Sequence, residues 1–272
     1  MSGNGKKILS IRKLIHPFVQ CLALNSQPFH VIQENAPVFN PTKPIIYAAN
    51  HSSFPDGPVM SSIVPRWTML FAGKQRLDLA GKLFFFLNGT IWVDRKDKMD
   101  MNLAKDTIIQ SLRKGNDLIW FPEATWNVTE NLPMLPMRWG IIEVARRADA
   151  QIIPTALHYD RERMELHIRW GKSMEGVRLQ DNASGIRILR DTIASMRWEF
   201  WERNEAVSRA NLDVDECRRK MKTVYEEYKS LSIEDEQATV FCPYPTQEAV
   251  FADVYKLQPR KDTAFLFNKR IV

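Results

Sequence analysis

The string YAANHSSFPDGPV, residues 47–59, carries an imidazole and a carboxylate, His51 and Asp56, five positions apart. On one regular helix that separation turns the two side chains roughly 140° away from each other, so they meet only in a turn. Pro55 and Gly57 provide one, and residues 56–58 read as an N-cap followed by proline in the first helical turn. A carboxylate on one imidazole nitrogen leaves the other able to take a proton. His51 is therefore a candidate general base oriented by Asp56, a role worth about 10²–10⁴ in rate. The same pair also fits a purely structural contact, so the strings that follow it carry weight.

Three such strings stand downstream: LNGTIWVDRKD with Gly89, Asp94 and Arg95; WFPEATWN with Pro122, Glu123 and Thr125; and IIPTAL with Pro154. Arg95 offers a planar, permanently charged fork suited to a phosphate, or a surface ion pair with Asp94 or Asp97. No G-x-S-x-G elbow occurs, and none of Cys21, Cys217 or Cys242 sits beside these strings, so no covalent nucleophile is visible. Three cysteines without a C-x-x-C spacing also suggest neither a zinc clamp nor a disulfide framework. His158 and His167 are expected to face each other across a hairpin, but with no third ligand at a suitable spacing no metal site is expected. WGKS at 170–173 has Leu166 where a phosphate-binding loop needs its first glycine.

Taken in order, these strings resemble the four motif blocks of the glycerolipid acyltransferase family, which includes the 1-acylglycerol-3-phosphate acyltransferases. The resemblance runs from about Ile45 to Ser173, roughly half the chain. His51 and Asp56 match its H-x-x-x-x-D, Asp94 and Arg95 its D-R block, and Glu123 and Thr125 part of its F-P-E-G-T-R block. The stretch LPMRWGIIEVARRADAQIIPTAL is similar to the family's basic residue, here Arg138, with its glycine, helix and final strand. The resemblance implies an O-acyltransferase of phospholipid synthesis or remodelling. The donor would be a thioester, acyl-CoA or acyl carrier protein, serving as co-substrate with no cofactor or metal. The acceptor would be a hydroxyl of a lysophospholipid or glycerol-phosphate-type molecule. It further implies His51 as base, Asp56 as its orienter, and Arg95, Glu123 and Thr125 at the acceptor. A thioester is already activated, so direct attack needs no acyl-enzyme.

One departure matters. Where the family block ends in Gly-Thr-Arg, this chain has Ala124, Thr125 and Trp126. Tryptophan has one neutral donor and cannot replace a guanidinium. Either Arg138 supplies the charge or the acceptor lacks a phosphomonoester. A noncatalytic lipid or acyl-thioester binding protein on the same fold is the alternative.

Strands and helices must deliver these residues to one place. PIIYAAN, DLIWFP and AQIIPTAL read as buried strands, 101–113 and 140–147 as helices between them, and 151–171 as a hairpin turning near 160–163. The pattern predicts an α/β fold, a mixed, largely parallel sheet covered by helices with active residues just beyond strand C-termini, and the family resemblance implies the form of it found in glycerol-3-phosphate acyltransferases. KLFFFL at 82–87 fills core or lines an acyl groove. Ahead of this core, 31–175, lies a basic segment, 1–30. In it Ile8, Ile11, Ile15, Phe18 and Leu22 form a helical stripe opposite Lys6, Lys13, His16 and Gln20, interrupted by Pro17. Residues 176–272 read as a helical extension followed by a tail, of no assigned role.

Charge selects among partners. The chain of 272 residues has 38 Lys plus Arg against 32 Asp plus Glu, a net charge of +6, which favours an anionic partner. Bases and acids are mixed through the C-terminal half and no nucleic-acid motif appears, so nucleic acid is not expected. Lys6, Lys7, Arg12 and Lys13 all precede the first acid, Glu34, which suits an anionic membrane surface. No apolar run reaches the roughly 18 residues that span a bilayer. Arg12 and Lys13 break the first one too early for a signal peptide, leaving the sequons at Asn88, Asn127 and Asn182 without weight. The expectation is a peripheral protein on the cytoplasmic face of a membrane.

Overall fold

The computed structural model describes residues 3–25, 27–53, 55–74, 77, 79–127, 132–179, 181–203, 213–216, 218, 219 and 222. The side chains of residues 3–8, Cys217, Cys242 and nearly all of the expected C-terminal tail lie outside the described residues.

The chain opens with helix α1 (Gly3–Asn25), then strand β1 (His30–Gln33) and β2 (Ile45–Ala49). Helix α2 (Asp56–Ile63), β3 (Thr68–Gly73), α3 (Leu79–Leu87), β4 (Ile91–Val93) and α4 (Lys98–Arg113) follow. β5 (Asp117–Trp120), α5 (Gly140–Ala148), the hairpin β6 (Gln151–Asp160) and β7 (Glu165–Trp170), short β8 (Met174–Glu175), a 3₁₀ turn (Gly176–Arg178) and α6 (Asn182–Glu202) complete it. The sheet order is β1-β7-β6-β2-β5-β3-β4, with β8 beside β6. All pairs are parallel except β6 with β7 and β6 with β8. This is the mixed, largely parallel sheet flanked by helices that the alternation of runs predicts.

β2 shows why. Its IIYAA run is buried throughout, as a central parallel strand covered on both faces must be. Successive side chains alternate sides. Ile46 and Ala48 join the cluster formed with Ile108 and Leu112 of α4, Ile141 and Val144 of α5, and Leu189 and Ile193 of α6. Ile45, Tyr47 and Ala49 join Val59 and Met60 of α2, with Ile119 and Ile153. α4 starts where Asp97 accepts from Met99 N and Asp100 N. α5 stops at Asp149, whose left-handed φ of 49° ends the helix.

α1 runs through Pro17 without a break. The one intrahelical bond that proline removes falls on the carbonyl of Lys13, beside exposed side chains. The helix packs on α2 and buries His16, Val19 and Ala23, and Gln20 Nε2 donates to Val64 O at 2.8 Å. That side chain answers a carbonyl left open at the end of α2. The side of the helix that carries His16 and Gln20 thus faces the domain, while Ile11, Leu14, Phe18 and Leu22 face outward.

Candidate active site

Parallel strands bring the sequence-nominated residues to one edge of the sheet. His51 follows the C-terminal end of β2 and Glu123 that of β5, its hydrogen-bonded neighbour. Arg95 follows β4, and Gly73 ends β3. His51 Nδ1 lies 2.7 Å from Asp56 Oδ2. The same oxygen accepts from Ser52 N at 2.7 Å and Ser53 N at 2.9 Å, while Asp56 Oδ1 accepts from the Tyr159 hydroxyl at 2.5 Å. Asp56 is 0% exposed and has four donors.

The N-cap expectation for Asp56 fails here. Pro55 occupies that position and makes no side-chain cap bond, because the carboxylate turns back onto the preceding loop instead of onto the helix. The helix loses a cap of about 1 kcal/mol, and the imidazole gains a fixed, buried anion.

The other face of His51 is as constrained. Its ring stacks on Phe121 with centroids 4.1 Å apart and planes at 18°. Trp126 meets it edge-on, and the indole Nε1 donates to His51 Nε2 at 2.6 Å. An indole N–H can only donate. Nε2 must therefore carry the lone pair and Nδ1 the proton given to Asp56, which is the tautomer a general base requires.

Glu123 has a different place from the one expected. It does not line the cavity beside His51. Its Oε1 accepts from His51 N at 2.8 Å and its Oε2 from Leu135 N at 2.6 Å, so it braces the backbone of two loops. Burial pushes its carboxyl up to about 7, opposed by those two N–H groups and by the charge of Arg197. Asn127 N donates to His51 O at 2.6 Å and stitches the two loops together. Ala124, next in the chain, sits at φ 61°, a left-handed conformation that glycine adopts freely and alanine at a cost of roughly 1 kcal/mol. The glycine of the family block thus has a backbone reason, and this chain bears the strain.

The cavity is lined on its polar side by His51, Thr125, Trp126 and Arg95, and on its apolar side by Leu70, Phe85 and Val93 among others. The Arg95 guanidinium lies against Gly73, where an added Cβ would come within 2.8 Å of Nε, so a larger residue at 73 would displace it. Of KLFFFL, Phe85 both fills core and lines the cavity. Arg138 has an exposed side chain and is not among the residues lining the cavity; its backbone N donates to Pro122 O at 3.1 Å. His158 and His167 are paired across the hairpin, both against Phe200 of α6 and outside the cavity lining. Sequence reading passed over Tyr159 and the blocking position of Trp126; the only signal for Tyr159 was a polar hydroxyl within the apolar run of β6.

Comparison with known proteins fits this geometry. A family model described as Acyltransferase matches residues 29–158, which hold His51, Asp56, Arg95, Glu123, Thr125 and Trp126. That segment belongs to the acyltransferase family. The acyltransferase segment is also similar to individual members. A 1-acyl-sn-glycerol-3-phosphate acyltransferase of Neisseria gonorrhoeae is 28% identical over 42% of this chain and 44% of its own length. One from Saccharomyces cerevisiae is 31% identical over 42% and 39%. A lyso-ornithine lipid O-acyltransferase of Pseudomonas aeruginosa is 29% identical over 45% and 46%. The chain spans under half the length of these curated relatives. The crystal structure of the 1-acyl-sn-glycerophosphate acyltransferase PlsC from Thermotoga maritima superimposes with a TM-score of 0.58 at 16% identity, covering 76% of this chain and 86% of that one. At such identity the likeness speaks to the fold.

Proposed function

We propose that the protein is an O-acyltransferase that moves a fatty acyl group from an acyl-CoA or acyl carrier protein thioester to a hydroxyl of a lysophospholipid or glycerol-phosphate-type acceptor. The observation that carries this reading is His51 Nε2, an acceptor nitrogen facing a cavity whose other polar wall holds Arg95. The acceptor O–H gives its proton to Nε2 as the oxygen attacks the thioester carbonyl. A C–O bond forms, the C–S bond breaks, and the departing thiolate takes the proton back from Nε2. Asp56 steadies the imidazolium in between. Trp126 must first move off Nε2, since the indole and the acceptor hydroxyl need the same lone pair.

The acceptor reading follows from charge. Among the described residues Arg95 is the one arginine or lysine lining the cavity, because Trp126 stands in the arginine place and Arg138 is outside the lining. A phosphomonoester carries about −1.5 to −2 near neutral pH, more than one guanidinium balances. An acceptor with a single negative charge fits better. With labelled oleoyl-CoA, turnover is expected to be higher on lysophosphatidylglycerol than on lysophosphatidate. A preference for lysophosphatidate would refute the charge argument. Binding without product on every acceptor would instead favour a noncatalytic acyl-thioester binding protein.

The surface supports a peripheral station on a membrane, taken here as the cytoplasmic face. Leu14 is 80% exposed on α1 and Leu79 84% on α3, with Ile11, Phe18, Leu22, Leu83 and Phe86 also outward. The two helices touch, and the Arg12 guanidinium lies 4.7 Å over the Phe86 ring. Among the described residues no helix is long and apolar enough to cross a membrane. Each basic residue near anionic lipid adds about 1 kcal/mol, and each large apolar side chain fully buried about 1.5–3. Liposome co-sedimentation is expected to weaken with salt without vanishing, and to be lost in Leu14→Glu with Phe18→Glu. Salt-insensitive binding, or binding unchanged in that variant, would contradict this picture.

A further inference from the structure

α6 lies beyond the segment that matches the family, yet it reaches the site. Ile186, Leu189, Ile193, Met196 and Phe200 bury one face of it, and on the same helix Arg197 is 0% exposed. An isolated buried guanidinium costs several kcal/mol, so its surroundings must compensate. Its Nη1 donates to Pro133 O at 2.7 Å, and its guanidinium carbon lies 5.5 Å from the Trp201 ring centroid. Two residues along, Leu135 N donates to Glu123 Oε2, and Glu123 Oε1 takes His51 N. A continuous set of contacts thus runs from α6 through a strap at 133–135 and Glu123 to the backbone of His51.

We propose that Arg197 is a positioning residue of this site: it pins the strap over Glu123 and sets positive charge behind that carboxylate, fixing the backbone from which His51 projects. Both Glu123 oxygens accept N–H bonds, and the ionised form makes the stronger acceptor at each. Burial drives the carboxyl toward neutrality, and the charge of Arg197 opposes that while Asp56 adds to it. Arg197 also acts on His158, which Asp160, Glu34 and His167 influence too; burial first, then Arg197 and His167, lower that histidine to about 4. In the parent His158 therefore stays neutral across the range tested below, and the Glu123→Gln background separates any change at His158 from the change at Glu123.

The kinetic test rests on the acyl-transfer reading; a second test does not. Arg197→Met is expected to lower kcat/KM about tenfold or more near pH 7, the scale of one hydrogen bond to a charged group. The loss should shrink toward about pH 9, where Glu123 ionises even without its partner, and it should fall on kcat more than on acceptor KM because Arg197 does not line the cavity. Arg197→Lys is expected to restore most of it. A uniform loss across pH, or parental kinetics, would overturn the proposal.

The second test compares denaturation midpoints at about pH 6 and about pH 9 for the parent, Arg197→Met, Glu123→Gln and the double variant. A carboxyl raised above its unfolded value contributes stability at low pH and loses it as pH rises through the folded value. Removing Arg197 deepens that loss, so Arg197→Met should be displaced more at the higher pH, and the difference should disappear in the Glu123→Gln background. Equal displacement at both values would overturn the proposal. Coupling without any turnover would leave Arg197 standing and reject the acyl-transfer reading; turnover without coupling would do the reverse.

Discussion

Replacing His51 with alanine is expected to lower the turnover of acyl transfer about 10²–10⁴-fold, with an unfolding midpoint close to the parent's. The rate loss follows from the electrophile. A thioester needs no further activation, whereas an alcohol is a poor nucleophile until its proton has somewhere to go, and Nε2 is the acceptor nitrogen that the cavity provides. The fold survives because the imidazole is one of four donors to Asp56. Tyr159 O–H, Ser52 N and Ser53 N remain, so the buried carboxylate keeps its partners. The backbone bond from residue 51 to Glu123 is also untouched by the substitution. The ring's place beside Phe121 opens to the cavity, where water can enter. Steady-state rates with labelled acyl-CoA, run beside thermal unfolding, check both halves. Turnover near the parent's would remove His51 from the mechanism, whatever the midpoint shows.

The spacing of His51 and Asp56 was legible in the sequence because proline and glycine leave few conformations between them. So were β2, β5 and β6, whose apolar runs are too short for helices and too continuous for exposed strands. β4 was not: three residues at the sheet edge carry no period. α3 escaped for the opposite reason, since KLFFFL is apolar all round and has no stripe to read. For α1 the stripe was visible, but periodicity alone does not say which side the rest of the protein covers; Gln20 meeting the end of α2 decides that.

In the site, the limit was distance along the chain. Tyr159 and Arg197 arrive from β6 and α6, and nothing local to either marks it as a neighbour of Asp56 or of the strap over Glu123. Glu123 was found by its string, but nothing in that string announces the two backbone N–H groups its oxygens hold, one from His51 and one from Leu135. Trp126 was noticed as a missing charge, and the structure adds that its indole occupies the base.

Asp56 separates the electrostatic part of the mechanism from the structural part. In Asp56→Asn the amide can keep its oxygen toward His51 Nδ1, Ser52 N and Ser53 N and turn its NH₂ to Tyr159, whose hydroxyl can accept as well as donate. Geometry and tautomer are preserved, and only the negative charge is lost. At an effective dielectric near 20, a carboxylate and an imidazolium about 4 Å apart attract by about 4 kcal/mol. Since that attraction exists only once His51 has taken the proton, its removal is expected to lower kcat about 10³-fold, with acceptor KM little changed and the fold intact. Asp56→Ala does more. It removes the acceptor shared by His51 Nδ1, Ser52 N, Ser53 N and the Tyr159 hydroxyl, and the loss of a buried hydrogen-bonding partner costs about 1–3 kcal/mol, so a larger fall in the unfolding midpoint than in Asp56→Asn is expected beside the loss of rate. The contrast between the two variants is the test, read by stopped-time assays and thermal melts on the same preparations. If Asp56→Asn turned over within a few-fold of the parent, the carboxylate would be a scaffold for the loop alone. His51 would then act as a base without a counter-charge.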